Sequence, residues 1–229
     1  RLQGHSSWVT CLSVDGTSNR ALSGSRDGTL RLWELENGKV LHQFGTSNPE
    51  VWCLATNWPA DQAVSGGKEG MLALWDLHSG EAVGAWRADT DRICCITADW
   101  EAQHVLFGCA DGILHLWDLK LGHTIGTLKG HELPVWCAAL DVPSQRVLSG
   151  GDDCDLRLWD LEWGMTVATL SGHEGSVRCL DVCWRSQRAL SGGSDGVLLL
   201  WNLEDSSQLF KLVGCDGGVS CVAVAWRLQ

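Results

Sequence analysis

Trp33, Trp75, Trp117, Trp159 and Trp201 follow one another at intervals of 42 residues. Cys11, Cys53, Cys95, Cys137, Cys179 and Cys221 keep the same interval, and so do Gly24, Gly66, Gly108, Gly150 and Gly192. No insertion or deletion breaks the phase. Such a chain consists of copies of one small unit, and its fold must be buildable by repetition.

Each copy predicts four short strands. In the first they are Val9–Val14, Ala21–Ser25, Thr29–Trp33 and Val40–Phe44. The turns Arg26-Asp27-Gly28 and Glu36-Asn37-Gly38 join the later strands as hairpins, because glycine accepts the positive φ that tight turns need. Leu30/Leu32, Leu72/Leu74, Leu114/Leu116, Leu156/Leu158 and Leu198/Leu200 mark one face of the third strand, with polar Arg31, His115 and Arg157 between them. Helical periodicity is absent. A lone four-stranded sheet cannot cover both of its faces, so the copies are expected to stack face to face about an axis. Five complete copies occupy approximately 4-45, 46-87, 88-129, 130-171 and 172-213, and a partial sixth spans 214-229 within one domain, 1-229.

A period of about 40–45 residues with four strands per unit is that of tryptophan–aspartate (WD) repeat blades. The chain resembles the WD-repeat family over essentially its whole length. Gly4-His5, Gly130-His131 and Gly172-His173 carry the likeness at the start of blades. Trp75-Asp76, Trp117-Asp118 and Trp159-Asp160 carry it at the end of the third strand. The resemblance implies an all-β fold: a β-propeller of four-stranded antiparallel blades with a 42-residue repeat, five complete repeats plus the first strand of a sixth. Seven blades are usual in that family, which leaves three arrangements open. The chain is part of a larger propeller, or five blades close with the spare strand displaced or exchanged, or two chains complete each other. Arg1-Leu2-Gln3 recurs as Arg227-Leu228-Gln229, an echo that the 42-residue period does not explain.

The resemblance also implies a hydrogen-bonded tetrad inside a blade. It falls on His5, Ser23, Asp27 and Trp33, on His131, Ser149, Asp153 and Trp159, and on His173, Ser191, Asp195 and Trp201. A Ser-His-Asp set invites a hydrolase reading. These sets recur with the blades, whereas an active site is normally unique, and they satisfy buried polar groups instead. Blade two departs, with Glu69 for the aspartate and Ser47 for the histidine. Blade three has Phe107 for the serine and Asp89 for the histidine, so apolar packing is expected to replace the hydroxyl there.

Charge and cysteine content narrow the function classes. The formal net charge is −11. Nucleic-acid affinity comes chiefly from basic residues that displace counterions, so no nucleic-acid partner is expected. No stretch has the ~18 consecutive apolar residues of a membrane span, so no membrane insertion is expected. The Arg1-Leu2-Gln3-Gly4-His5 start lacks the apolar core of a signal peptide. The cysteine column does not suit a metal, because cysteines one blade apart sit about 10 Å away on successive sheets. It suits small buried fillers in a reducing compartment, cytoplasmic or other intracellular. Cys94, Cys109, Cys154, Cys183 and Cys215 lie off the column with no ligand spacing. No cofactor, metal site or catalytic residue is expected.

A second tryptophan column, Trp58, Trp100, Trp184 and Trp226, follows the first strand and is expected to pack under a neighbouring blade. Arg20, Arg146 and Arg188 follow in the same turn, where Asp15 and Asp141 are their expected partners. Binding residues are sought where the repeats disagree, on loops held by a rigid scaffold. The resemblance puts the usual docking surface on the face of the leading loops and second turns. The varied positions there include Trp8, Arg26, Trp52, Lys68, Arg92, Trp136, Asp152 and Arg178. Tryptophan and arginine are the typical hot-spot residues of interfaces, although blade packing accounts equally for the tryptophans. The expected function is a non-catalytic protein–protein interaction scaffold within a larger complex, with proteins or peptides as partners and self-association possible through unclosed ring edges. The alternatives are a substrate receptor of a ubiquitin ligase and a propeller hydrolase. Some relatives dock on their ligase through Trp-Asp-x-Arg, but the fourth position here is His78 or Lys120.

Overall fold

The computed structural model describes residues 1–45, 49–214 and 217–226. Five antiparallel four-stranded sheets follow one another, each with its strands in chain order. The first strands are Val9–Asp15, Val51–Asn57, Ile93–Asp99, Val135–Asp141 and Val177–Cys183. In blade one they are followed by Arg20–Ser25, Thr29–Glu34 and Lys39–Gly45, within two residues of expectation. Gly28 and Gly38 take φ of 77° and 70° in the predicted turns. The helical residues described are two single turns, Trp58–Ala60 and Trp184–Ser186. Ser47, Cys215 and the Arg227-Leu228-Gln229 echo lie outside the described residues.

The three columns interlock to stack the blades. A Cβ on Gly24 would lie 2.5 Å from Cys11 Sγ and 2.8 Å from Val51 of the next blade. At Gly150 the same clash falls on Cys137 and Val177, and at Gly192 on Cys179 and Val219. The glycine therefore lets one sheet reach the next, and the small cysteine fills the space beside it. The single Cys137 S–H points between two acceptors, Gly150 O in its own blade (3.7 Å) and Val177 O in the next (3.8 Å). The cysteines described are unpaired thiols.

Between blades the core is a sandwich. The third-strand tryptophans of blades two to five face the preceding blade, as when Trp159 joins Leu106, Leu114 and Leu128. Phe44 meets Trp75 edge-on at 5.6 Å. Trp58, of the second tryptophan column, donates its Nε1–H to Ser13 Oγ of the preceding blade at 3.2 Å. The arginines of that turn look across blades more than within them. Arg20 Nη2 lies 2.7 Å from Asp61 of blade two and 3.8 Å from Asp15. Arg146 donates to Gln187 Oε1 at 2.9 Å, and no bond to Asp141 is found among the described residues. Arg20 Nε also donates to Ser18 Oγ of its own turn at 2.8 Å, so its nearer charged partner and its turn partner lie on different blades.

The segment before Trp226 takes the place of a sixth first strand without forming a ladder. Val219 N donates to Gly193 O at 2.9 Å, and Val224 N to Asp181 Oδ2 at 2.6 Å. Two blade faces remain uncovered. Val9 is 55% exposed where Val51, Ile93, Val135 and Val177 are 0%. Leu212 is 55% exposed where Phe44, Leu128 and Leu170 are at most 3%.

Candidate interaction surface at the propeller axis

The tetrads form as hydrogen-bonded chains within blades one, four and five. In blade four His131 Nδ1 lies 2.7 Å from Asp153 Oδ2 and Nε2 lies 2.8 Å from Ser149 Oγ. With Nδ1–H donating to the carboxylate, Nε2 accepts the serine O–H, and Ser149 Oγ accepts the Trp159 indole N–H at 2.8 Å. The same distances recur at His5–Ser23–Trp33 and His173–Ser191–Trp201. Ser149 and Ser191 are fully buried, and each hydroxyl is occupied by the indole and the imidazole. Burial pushes the His131 pKa down, although Asp153 opposes it. Burial would raise the Asp27 carboxyl, but hydrogen bonds from Thr29, the Ser6 amide and His5 outweigh it and hold it far below the ordinary value.

Blades two and three differ as their sequences require. Trp75 retains its serine, Ser65, at 2.9 Å. In blade three Phe107 occupies the serine position and stacks on His115 at 5.3 Å, nearly parallel. Trp117 Nε1 and His115 Nε2 are buried without hydrogen-bond partners among the described residues.

A second set of side chains is gathered at the axis by a feature of the first strands. In every blade that strand carries one extra residue between the first and third pairing positions, a β-bulge. The extra residues are Thr10, Trp52, Cys94, Trp136 and Arg178. A bulge leaves its residue unpaired and re-aims its side chain, here onto the axis mouth beside the leading loops and second turns.

There tryptophans and arginines alternate across blades. Arg26 lies over Trp8 (5.1 Å) and Trp52 (4.5 Å), Arg92 over Trp52 (5.0 Å) and Trp136 (5.6 Å), and Arg178 over Trp136 (4.4 Å). Each guanidinium carbon lies over an indole ring, an electrostatically favourable placement. Carboxylates hold some of the edges. Asp152 Oδ1 accepts the Trp136 indole N–H at 2.6 Å and lies 3.4 Å from Arg178. Glu50 lies 3.4 Å from Lys68 and 3.9 Å from Arg26. Arg92 has no ion pair among the described residues, and its Nε is buried without a partner.

All eight residues expected at this surface are thus brought together. Trp8, Arg26, Trp52, Trp136 and Arg178 line a depression of about 650 Å³, and Lys68 and Arg92 line a second of about 380 Å³; Asp152 joins them through its contacts with Trp136 and Arg178. Sequence reasoning missed the role of Cys94. Its small, buried side chain stands in the bulge column between Trp52 and Trp136. The drop in size between the two tryptophans of that column was the available signal. Burial raises its thiol pKa against the pull of Arg92.

Stacked four-stranded blades with a repeated His–Ser–Trp network define a WD-repeat β-propeller. The family model for the WD domain, G-beta repeat, matches residues 1–34, 122–160 and 164–202, so the chain carries WD repeats there. Among curated proteins it is similar to the small ribosomal subunit protein RACK1 of Schizosaccharomyces pombe, 50% identical over 44 residues. That stretch is 19% of this chain and 14% of the relative. RACK1 of Trypanosoma brucei brucei is 43% identical over 44 residues, with the same coverage. A probable E3 ubiquitin ligase complex SCF subunit, sconB, of Arthroderma benhamiae is 40% identical over 43 residues, 19% of this chain and 6% of the relative. Each likeness spans about one blade.

Proposed function

We propose that this chain is a non-catalytic protein-interaction scaffold acting within a larger complex, its five repeats working as one domain over 1-229. Trp8, Arg26, Trp52, Lys68, Arg92, Trp136, Asp152 and Arg178 form its docking surface. The observation that carries this reading is the alternation of indole and guanidinium groups around the axis mouth. Rigid aromatic and arginine groups lose little entropy when a partner covers them. WD-repeat proteins bind other proteins, and the similarity to named assembly subunits supports the same use here. The acidic net charge of −11 argues against a nucleic-acid partner. No described helix is long and apolar enough to cross a membrane. The unpaired thiols favour a reducing, cytoplasmic or other intracellular compartment.

The test compares partner capture by the native protein with capture by a variant carrying Trp52→Ala and Arg178→Ala. Loss of the captured set with an unchanged unfolding midpoint supports the docking surface. Full capture by the variant overturns it.

A substrate receptor of a ubiquitin ligase is the second reading, favoured by the likeness to the SCF subunit. Co-purification of a ligase core with the captured set distinguishes it. A hydrolase is the weakest reading, because the serines of the repeated networks are buried and occupied.

A further inference from the structure

Far from the axis, the outer rim of blades three and four breaks the repeat in a second way. In the turn before the fourth strand, blades one, two and five carry Asn37, Ser79 and Asp205. Blade four carries Trp163, 72% exposed. Two residues on, Lys39, Glu81, His123 and Ser207 are replaced in blade four by Met165, also exposed. Large apolar side chains thus stand at two positions where most of the other blades are polar, and packing leaves them largely exposed. Clustered exposed apolar groups mark interaction sites.

Trp163 borders a hollow of about 260 Å³ between the blades, with Ile125, Leu128 and Leu161 in its walls and Glu162 at its edge. Gly126 contributes no side chain, which helps keep the hollow open. Ile125 is the extra residue of an outer-strand bulge and is turned outward by it. The bulge also spoils that edge for pairing with another strand, so an occupant docks through side chains.

Charge decides what kind of occupant fits. The five turns joining third and fourth strands hold Glu34, Glu36, Asp76, Glu81, Asp118, Asp160, Glu162, Glu204 and Asp205 against Lys39 and Lys120. Around the hollow, Asp118 and Asp160 bond backbone N–H groups of their own turns. Glu162 has no hydrogen bond or ion pair among the described residues. We propose that this rim is a second interaction surface, which takes a short peptide segment combining basic and aliphatic residues. An aliphatic side chain fills the hollow. A neighbouring lysine or arginine lies over the Trp163 indole and pairs with Glu162.

The probe is a labelled hexapeptide of alternating lysine and valine, with alternating glutamate and valine as comparison, titrated by fluorescence anisotropy against the full chain. The asparagine and serine introduced at the rim are residues the chain already uses at these positions, Asn37 and Ser207, which safeguards folding. Trp163→Asn with Met165→Ser alters no charge, so general attraction between an acidic protein and a basic peptide is preserved. This pair is expected to weaken the lysine peptide about tenfold, and Glu162→Gln about threefold, while Trp8→Ala at the axis leaves it unchanged. Equal binding of the glutamate peptide, or affinity kept within twofold by the double variant, overturns the proposal. So does concentration-dependent dimerisation that Trp163→Asn abolishes, which makes the occupant a second copy. Failure here leaves the axis surface standing, because the two sites share no residue.

Discussion

The indoles of Trp52 and Trp136 stand with centroids 6.4 Å apart, although they belong to blades two and four. Blade three lies between them and offers Cys94 at the matching bulge. A small residue there lets the two rings lean together over it. Cys94→Trp restores bulk at a well-packed point and is expected to cost about 1–3 kcal/mol. The same change separates the indoles, so the near-ultraviolet circular dichroism of the coupled rings is expected to fall. An unaltered spectrum would show that the rings do not depend on Cys94.

The tetrads differ in how many buried groups each serine satisfies. Ser149 serves both Trp159 and His131, whereas Ser65 serves Trp75 alone among the bonds found. Leaving a buried polar group unpaired costs about 1–3 kcal/mol. Ser149→Ala is therefore expected to cost about 3 kcal/mol and Ser65→Ala about half that, read from urea midpoints at constant slope. Equal losses would mean that the histidine adds nothing to the network.

Stability is expected to fall as pH drops below about 6.5. Burial pushes down the pKa of both His131 and His115 from the ordinary 6.5. The unfolded chain thus takes up these protons first, and each site contributes up to about 1.4 kcal/mol per pH unit until it also protonates in the folded state. Asp27 and Asp195 are held below the ordinary 3.8, so their contribution persists above that value and is lost only in stronger acid. His115→Leu borrows Leu199 from blade five. It is expected to reduce the slope between pH 7 and pH 5, measured by denaturant titration. A slope identical to that of the native protein would exclude His115 as a contributor.

Thiol reactivity is expected to separate the cysteines by position. Burial raises Cys53 and Cys137 well above the ordinary value and takes Cys179 to about 11. Cys183 is half-buried, and hydrogen bonds from Ser186 lower its pKa. Cys221 is exposed. Timed alkylation of the folded protein, followed by peptide mass mapping, is expected to label Cys183 and Cys221 first and Cys53 and Cys137 only on unfolding. Early labelling of Cys137 would mean that the blades part readily.

The stacking of blades was legible in the sequence because period, glycine and cysteine columns encode one repeated contact. The first-to-second strand register falls on those columns, with Cys11 opposite Gly24 and Cys137 opposite Gly150. The eight axis residues were also legible as a set, since each departs from its column. Their interdigitation was not. Whether Arg92 lies over Trp52 or points to solvent depends on the bulge and on the angle between blades, neither of which a residue pattern records. The same limit applies to Arg20, whose charge predicted an acidic partner while the geometry selected Asp61 over Asp15.

The two uncovered blade faces lead to a last expectation. Val9, Leu12 and Val14 on blade one, and Phe210 and Leu212 on blade five, are all more than half exposed. Their counterparts in the other blades are packed against a neighbour or partly covered. These faces are the two sides of the contact that joins successive blades, so each presents a surface shaped for the other. Apolar sheet faces left in water favour association. The mean mass from sedimentation is therefore expected to rise with protein concentration. Leu12→Lys with Phe210→Lys puts charge on both faces at positions already in solvent, which spares the folded unit and should hold it monomeric. A native protein that stays monomeric at high concentration would exclude pairing through these faces. Association unchanged in the charged variant would place the contact elsewhere, with the Trp163 rim as the first surface to test.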